Sequence, residues 1–277
     1  NSVEWMNRGA VRLAIHRWLP ETPRAVVFYI HGIQSHAGWL FETGAALATS
    51  NVAVYALDRR GSGKSGGPRG DVESLDVLFS DYVEAIVAVR NRHPHLPLTL
   101  VGQSLGGGIL AGLVTSGHAP YDALVFCAPA LGQMQVKLAE SERERIRANE
   151  TTLSEPVTLK DADYTADPKY LSFMSNVELM LRSITGRTRK TLLELEELYM
   201  KSGGGWRAAP VAFASPRVDP IIRLDAARTA FGALTGERGI MVDFPAQLHY
   251  LEFSPCRDRF WSWLIGFVRS GGYVNPS

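Results

Sequence analysis

The sequence predicts an α/β fold in which a mostly parallel, doubly wound sheet carries an inserted helical cap. Continuous apolar runs at residues 25–30, 51–57 and 98–103 are typical of strands that are buried on both faces. Helical segments of ten to twenty residues alternate with these runs, as they do in parallel sheets. The alternation breaks between residues 131 and 206, where helical patterns follow one another and predict the cap.

The first half of the chain supplies the strands and helices that precede the cap. The predicted elements are, in order, an antiparallel hairpin at residues 3–19, a strand at 25–30, a helix at 39–48, a strand at 51–57, a helix at 74–92, a strand at 98–103, a small-residue helix from 105 and a strand at 123–128. Pro94 and Pro97 end the helix at 74–92.

The second half predicts the cap and the return to the sheet. The predicted elements are a charged helix at residues 140–147, helices at 177–184 and 188–200, a strand from 211, a helix from 225, a strand at 239–244 and a closing helix at 257–269. Pro156 and Pro168 separate the pieces of the cap. We therefore divide the chain into a core at residues 1–130 and 207–277, and a cap at 131–206.

The stretch Gly102-Gln103-Ser104-Leu105-Gly106 has the pattern of a nucleophile elbow. It follows an apolar strand and precedes a small-residue helix, which is the context that this turn requires. Glycines at both ends remove the clashes that side chains would make with the neighbouring strand and helix. The sequence therefore predicts Ser104 as a nucleophile at a helix N-terminus.

A nucleophilic serine needs a histidine base. In folds that carry this elbow, the order along the chain is serine, then acid, then histidine. Of the seven histidines, only His118 and His249 follow Ser104. His118 comes at the far end of the elbow helix, about 20 Å from the serine at 1.5 Å per residue. We therefore predict His249 as the base.

The acid that orients the base should lie between Ser104 and His249, at the end of a strand. Asp219 lies in the turn after the strand that begins at residue 211, and we predict it as the acid. Asp225 is the alternative, although its position at a helix start is typical of a cap. Asp243 falls within the next strand and fits less well.

Acyl transfer also needs two N–H groups that stabilise the oxyanion. One should be the backbone N–H of Leu105, directly after the nucleophile, and the other should come from the loop after the strand at residues 25–30. In that loop Gly32 permits a close approach, and we assign the Ile33 N–H. We expect His31 and His36 to shape the loop by hydrogen bonding.

Composition and charge exclude several other classes of protein. The formal net charge of +1 gives no field that would attract nucleic acid, and no run of 18 apolar residues predicts an integral membrane segment. Two cysteines form neither a disulfide framework nor a metal-site spacing. In the glycine-rich loop at residues 61–70 no Gly-Lys-Ser/Thr follows the glycines in the spacing of a phosphate-binding loop, and the next helix begins late. The first residues lack a signal-peptide core. We therefore expect no cofactor or metal, no nucleic-acid partner and a cytoplasmic location.

These motifs together resemble the monoacylglycerol lipase and lysophospholipase branch of the α/β-hydrolases. The resemblance rests on His31-Gly-x-x-x-His36-x-Gly38, Asp58-x-Arg-Gly-x-Gly-x-Ser65-x-Gly-x-Arg69-Gly, Gly102-x-Ser-x-Gly-Gly107, Asp219 and His249. It covers nearly the whole chain outside the cap. It implies an α/β-hydrolase core, a helical cap inserted after the sixth strand and cofactor-free hydrolysis of carboxylic esters. Ser62 departs from the pattern, because members commonly have a histidine there.

The sequence thus predicts a serine hydrolase that cleaves small-molecule acyl esters through an acyl-enzyme. Apolar cap residues at helical spacing should contact the substrate; they are Leu179, Met180, Leu192, Leu195 and Tyr199. Three alternatives use the same fold: transfer of the acyl group to another acceptor, hydrolysis of a C–C bond, and a non-catalytic ligand receptor. A peptidase that acts on N-terminal residues would need an acidic cluster for the α-amine, and the sequence shows none.

Overall fold

The computed structural model describes residues 1–176, 178–204, 206 and 209–272. Its strands in chain order are β1 (Ser2–Arg8), β2 (Val11–Trp18), β3 (Ala25–Ile30), β4 (Val52–Leu57), β5 (Leu98–Gln103), β6 (Ala123–Cys127), β7 (Ser154–Pro156), β8 (Ser183–Thr185), β9 (Val211–Pro216) and β10 (Ile240–Phe244). The α-helices are α1 (Phe41–Thr49), α2 (Leu75–Arg92), α3 (Leu105–Ser116), α4 (Gln133–Lys137), α5 (Glu140–Arg147), α6 (Asp161–Tyr164), α7 (Pro168–Asn176), α8 (Gly186–Lys201), α9 (Leu224–Thr235) and α10 (Arg257–Arg269).

The described residues form one eight-stranded sheet with the order β1-β2-β4-β3-β5-β6-β9-β10. β1 pairs antiparallel with β2 as the predicted hairpin, and β2 pairs antiparallel with β4. The remaining neighbours, from β4 through β10, pair in parallel. The predicted doubly wound, mostly parallel sheet is confirmed.

Two apolar layers hold the helices against the sheet. On one face Leu78 of α2, Ile109 of α3 and Phe231 of α9 belong to one buried cluster. On the other face Leu47 of α1 and Leu264 of α10 belong to a second. All the residues of β3, β4 and β5 are buried, as their continuous apolar runs predict. Since these strands are parallel, their carboxyl ends lie at one edge of the sheet, where ligands bind in open α/β folds.

Local signals explain where several elements begin. The Ser74 hydroxyl accepts a hydrogen bond from the Val77 N–H and caps α2. α10 has the bounds that the sequence predicts. α9 begins at Leu224, so Asp225 lies inside its first turn and is not the predicted cap. A negative charge in the first turn still interacts favourably with the positive end of the helix dipole.

The segment between β6 and β9 departs most from prediction. The predicted helix at residues 177–184 is wrong: Ser183–Thr185 forms β8, which pairs with β7, and Val177 lies outside the described residues. Pro168 begins α7 where a break was predicted, because a proline lacks only an N–H that a first helical turn leaves unbonded. Arg207, the predicted first residue of the returning core, also lies outside the described residues.

No helix in the described ranges is both long enough and apolar enough for a membrane crossing.

Candidate active site

Ser104 occupies the sharp turn between β5 and α3. Its φ of 54° and ψ of −121° are unusual for a residue with a side chain, and strain of this kind clusters at functional sites. The Ser104 N–H donates to the Cys127 carbonyl at 3.0 Å, which fixes the turn against β6. The side chain therefore projects from the carboxyl edge of the sheet at the N-terminus of α3.

The glycines of the elbow lie where no side chain fits. A Cβ on Gly106 would lie 1.9 Å from the Ile30 carbonyl oxygen, and one on Gly102 would lie 2.5 Å from the Gly106 carbonyl oxygen. Both distances are far inside van der Waals contact, and both opposing atoms are backbone. The glycines are therefore required by the close approach of β3, β5 and α3.

Gly106→Ala is expected to lower the free energy of unfolding by at least about 1–3 kcal/mol, the usual cost of overpacking a rigid site. Gly266→Ala is the control: a Cβ there meets no atom within 4 Å, and alanine favours a helix interior. Urea unfolding midpoints measure both changes. Equal midpoints for Gly106→Ala and the unchanged protein would contradict the steric reading of the elbow.

His249 and Asp219 form a buried pair at the same edge of the sheet. Asp219 lies in the turn after β9 and His249 in the loop after β10, so each follows a parallel strand. His249 Nδ1 lies 2.7 Å from Asp219 Oδ2, and neither side chain is exposed. Because a carboxylate only accepts, Nδ1 carries the proton and Nε2 presents its lone pair. The pair thus has the orientation that a general base needs.

Backbone groups keep the Asp219 carboxylate ionised. The N–H groups of Ile221 and Ile222 donate to its Oδ1 at 2.8 and 2.9 Å. Burial raises the pKa of Asp219, but His249 and these N–H groups outweigh burial, so the pKa lies below its ordinary value. Asp225 is instead exposed and bonds Arg223.

Asp243, the third acid considered from the sequence, also lies away from the pair. Its carboxylate accepts from Ser215 and Arg228 and is half exposed. Of the three acids, the structure brings only Asp219 to His249.

Gln103 holds the free nitrogen of the histidine ring. Its Nε2 lies 3.2 Å from His249 Nε2, and the side chain is 1% exposed. No hydrogen bond joins Ser104 Oγ to His249 in the described part of the chain. Ser104 follows Gln103 directly, so the histidine lone pair faces the elbow while the amide bonds it. The signal that could have identified Gln103 is its place within the elbow motif.

The two assigned oxyanion donors flank the serine. Leu105 is the first residue of α3, whose first N–H groups have no partner within the helix. Neither the Leu105 N–H nor the Ile33 N–H donates to an acceptor within the residues described. Both residues line one cavity with Ser104. The positive end of the α3 dipole adds to the attraction for a negative oxygen there.

This cavity has a volume of about 200 Å³ and lies between the elbow, α4, α8 and the turn after Asp219. Leu192, Leu195 and Tyr199 line it, as the sequence predicts for three of the five cap residues. The structure does not bring the other two to it: Met180 packs in the core, and Leu179 lies beside the glycine-rich loop, where its carbonyl accepts from Arg69.

Three polar side chains that the sequence analysis missed also line the cavity: Gln133, Lys137 and Glu196. Lys137 Nζ donates to the Ile221 carbonyl at 2.5 Å, and burial lowers its pKa. Glu196 accepts from the Met134 and Gln135 N–H groups, and burial raises its pKa. Residues 192, 195, 196 and 199 lie on one face of a helix by their spacing. A glutamate at position 196 of this otherwise apolar face was the sequence feature that could have indicated a polar residue in the cavity.

A larger cavity of about 620 Å³ lies beside the chain segments that flank His249. Residues 164–167, 245–248 and 253–255 line it, and they include none of Ser104, Asp219 and His249. The smaller cavity, which is lined by Ser104 and by both predicted oxyanion residues, is therefore the candidate active site.

Residues 21–255 of the chain match the model of the Hydrolase_4 family, described as serine aminopeptidase, S33. A monoacylglycerol lipase from Mycolicibacterium smegmatis is 36% identical over 124 residues, which are 44% of this chain and 44% of that protein. A human monoglyceride lipase is 31% identical over 115 residues, which are 40% of this chain and 37% of that protein. The matched stretches thus span less than half the length of these relatives.

Solved structures share the fold over almost the whole chain. A monoacylglycerol lipase from Paleococcus ferrophilus superposes with a TM-score of 0.81 at 21% identity, covering 94% of this chain and 99% of that one. A soluble variant of monoglyceride lipase from Saccharomyces cerevisiae gives 0.83 at 14% identity, covering 99% and 96%. At these identities the likeness concerns the fold.

Proposed function

The chain belongs to the S33 family of α/β-hydrolases, in the monoacylglycerol lipase branch, and on that premise we propose that it cleaves carboxylic esters through an acyl-enzyme. One observation carries the proposal: a strained serine at a helix N-terminus directly follows a glutamine whose amide contacts a histidine that a buried carboxylate orients. Gln103, the neighbour of the serine, contacts the nitrogen that would take the proton. This combination serves nucleophilic acyl transfer.

In the proposed reaction Ser104 Oγ attacks the acyl carbon while His249 Nε2 takes the hydroxyl proton. The Gln103 amide must first leave Nε2, because that nitrogen has a single lone pair. The Ile33 and Leu105 N–H groups stabilise the oxyanion, and Asp219 stabilises the imidazolium. His249 then gives the proton to the leaving alcohol. A water molecule repeats the sequence on the acyl-enzyme and releases the acid.

The substrate class follows from the cavity and from the relatives. Apolar residues supply most of the wall, including those of α8 and of the turn after Asp219, and such a wall suits an acyl chain. The relatives named above are monoacylglycerol or monoglyceride lipases. We infer that the substrates are monoacylglycerol-like or lysophospholipid-like esters. Residues 131–206 serve as the cap that shapes this wall.

The family description raises aminopeptidase activity as a second candidate, and the cavity disfavours it. A free α-amine needs a carboxylate to bind it. Glu196 is the one acidic residue among the described residues that line the cavity. Both of its oxygens already accept backbone N–H groups, at 3.0 and 2.7 Å. An ester without an α-amine therefore fits the site better.

A panel of esters with graded acyl lengths, monoacylglycerols, lysophospholipids and aminoacyl anilides tests the proposed function. We expect hydrolysis of the esters and none of the anilides. Product analysis with and without added alcohol or amine separates hydrolysis from acyl transfer. Turnover confined to the anilides, or binding without any turnover, would contradict the proposal.

Leu195→Trp is expected to shift the preference toward shorter acyl groups, while turnover of an acetyl ester changes less than about threefold. Each buried methylene contributes about 0.8 kcal/mol, so loss of room for a few carbons lowers kcat/KM for long chains by about 10- to 100-fold. Leu198→Trp is the control, because Leu198 lies on the same helix and is exposed. Identical chain-length profiles for the two variants would mean that α8 does not contact the acyl chain.

A further inference from the structure

Arg59 is a buried arginine directly behind the loop that carries the proposed oxyanion donor. It follows β4 and is 3% exposed. Its guanidinium donates from Nη1 to the Gly32 carbonyl at 3.2 Å and from Nη2 to the Ile33 carbonyl at 3.0 Å. No carboxylate forms an ion pair with it in the described part of the chain. A buried cation that donates to two carbonyl groups and has no carboxylate partner among the described residues is unusual, because its desolvation is costly.

The neighbouring carboxylate, Asp58, is engaged elsewhere. Its oxygens accept from His16 Nε2 at 3.1 Å, from the Ala37 N–H at 2.7 Å and from the Lys64 N–H at 2.8 Å. The adjacent arginine, Arg60, instead bonds Asp81 through two hydrogen bonds. The two consecutive arginines thus have separate partners, and only Arg59 bonds the loop.

His31 supplies a second donor to the same Gly32 carbonyl. Its Nε2 accepts from the Arg59 backbone N–H at 3.0 Å, so the proton of the neutral ring is on Nδ1. Nδ1 lies 2.8 Å from the Gly32 carbonyl oxygen and donates to it. Burial, with the nearby Arg59 charge, lowers the pKa of His31 to about 3, so the ring is neutral near pH 7. The Gly32 carbonyl therefore accepts two hydrogen bonds, one of them from a cation.

The Gly32 carbonyl and the Ile33 N–H belong to one peptide group. The group is planar and trans, so its C=O and N–H point in opposite directions. Two donors that hold the oxygen fix the direction of the N–H, and a cation on the oxygen withdraws electrons and strengthens the N–H as a donor. A Cβ built on Gly32 would lie 3.3 Å from the Ser104 Cβ, so this peptide borders the nucleophile.

We propose that Arg59 is a positioning residue of the oxyanion hole: it orients and polarises the Gly32–Ile33 peptide so that the Ile33 N–H binds the oxyanion more strongly than the neutral carbonyl. The proposal rests on the proposed ester hydrolysis. An interaction of this kind acts on the transition state and adds little to substrate binding, so its loss lowers kcat and leaves KM nearly unchanged. Loss of an arginine that served the fold alone would not lower kcat selectively while KM stayed nearly unchanged.

The test compares Arg59→Met, Arg59→Lys and Arg59→Gln with the control Arg60→Met. Each folded variant is assayed for kcat and KM on one ester, and for affinity to an alkyl trifluoromethyl ketone and to the corresponding alcohol. Ser104 Oγ adds to the ketone carbonyl as its proton passes to His249, and the carbonyl electron pair becomes the oxyanion. The alcohol fills the same pocket and forms no oxyanion.

We expect Arg59→Met to lower kcat by about 10- to 100-fold, less than the loss of a whole oxyanion donor. Ketone affinity should fall by a similar factor, whereas alcohol affinity and KM should change little. Arg59→Lys and Arg59→Gln, which keep a donor, should recover part of the loss, and Arg60→Met should leave the ketone-to-alcohol ratio unchanged.

The proposal is overturned if folded Arg59→Met keeps full kcat, if ketone and alcohol affinities fall together, or if none of the three Arg59 variants folds. The proposed function has its own control. If the unchanged protein hydrolyses no ester, or if hydrolysis survives Ser104→Ala, the ester hydrolase assignment fails whatever Arg59 does.

Discussion

Ser104→Ala is expected to lower kcat for a short-chain ester by about 10⁴-fold or more while the protein remains folded. The reaction needs a covalent acyl-enzyme, and alanine offers no oxygen to form it. What remains is water attack assisted by the oxyanion donors and by binding, which recovers only part of the rate. Within the described residues the Ser104 side chain makes no hydrogen bond, so removing its oxygen should leave the free energy of unfolding nearly unchanged.

A fluorophosphonate probe provides an independent measurement of the same nucleophile. It should label Ser104 in the unchanged protein, and peptide mapping should locate the adduct there. Ser116→Ala is the control: Ser116 lies at the other end of α3, and its hydroxyl bonds the Leu113 carbonyl. That variant should keep both labelling and turnover. An adduct on another serine, or turnover retained by Ser104→Ala, would remove the basis of the proposed mechanism.

The parts of the site that the sequence predicts well are those that local chain geometry determines. The elbow requires small residues at two positions and a strand and helix around it, and all of these are visible within about fifteen residues. Asp219 and His249 follow from chain order and from their places after strands, since parallel strands bring such turns to one edge. The structure brings Asp219 and His249 into contact, and their catalytic roles stay predictions.

The parts that the sequence does not predict depend on contacts between distant segments. Gln103 bonds His249 across 146 positions, and its place in the elbow motif marks it as close to the serine without indicating that partner. Arg59 and Arg60 are consecutive arginines that the sequence does not distinguish. Only the fold shows that Arg59 bonds the loop and that Arg60 bonds Asp81. In the segment between β6 and β9, helical spacing places Leu195 on a buried face. Helical spacing alone does not show whether that face meets the core or the cavity.

Asp219→Asn is expected to lower kcat by about 10⁴-fold, comparable to the loss of the nucleophile. The carboxylate accepts the Nδ1 proton of His249 at 2.7 Å, and this fixes the lone pair on Nε2. An asparagine amide can instead donate to Nδ1, which moves the ring proton to Nε2 and leaves the base without a lone pair toward the serine. The substitution is nearly isosteric, so KM and the unfolding midpoint should change far less than kcat.

Asp225→Asn is the matched control, because Asp225 is the alternative acid by sequence and is exposed on α9, bonded to Arg223. It should keep kcat within about twofold, since a surface ion pair contributes little and lies away from His249. Kinetics on one ester, with unfolding midpoints for both variants, decide between the two acids. The reverse ranking would make Asp225 the catalytic acid and would mean that the buried His249–Asp219 contact serves the fold alone.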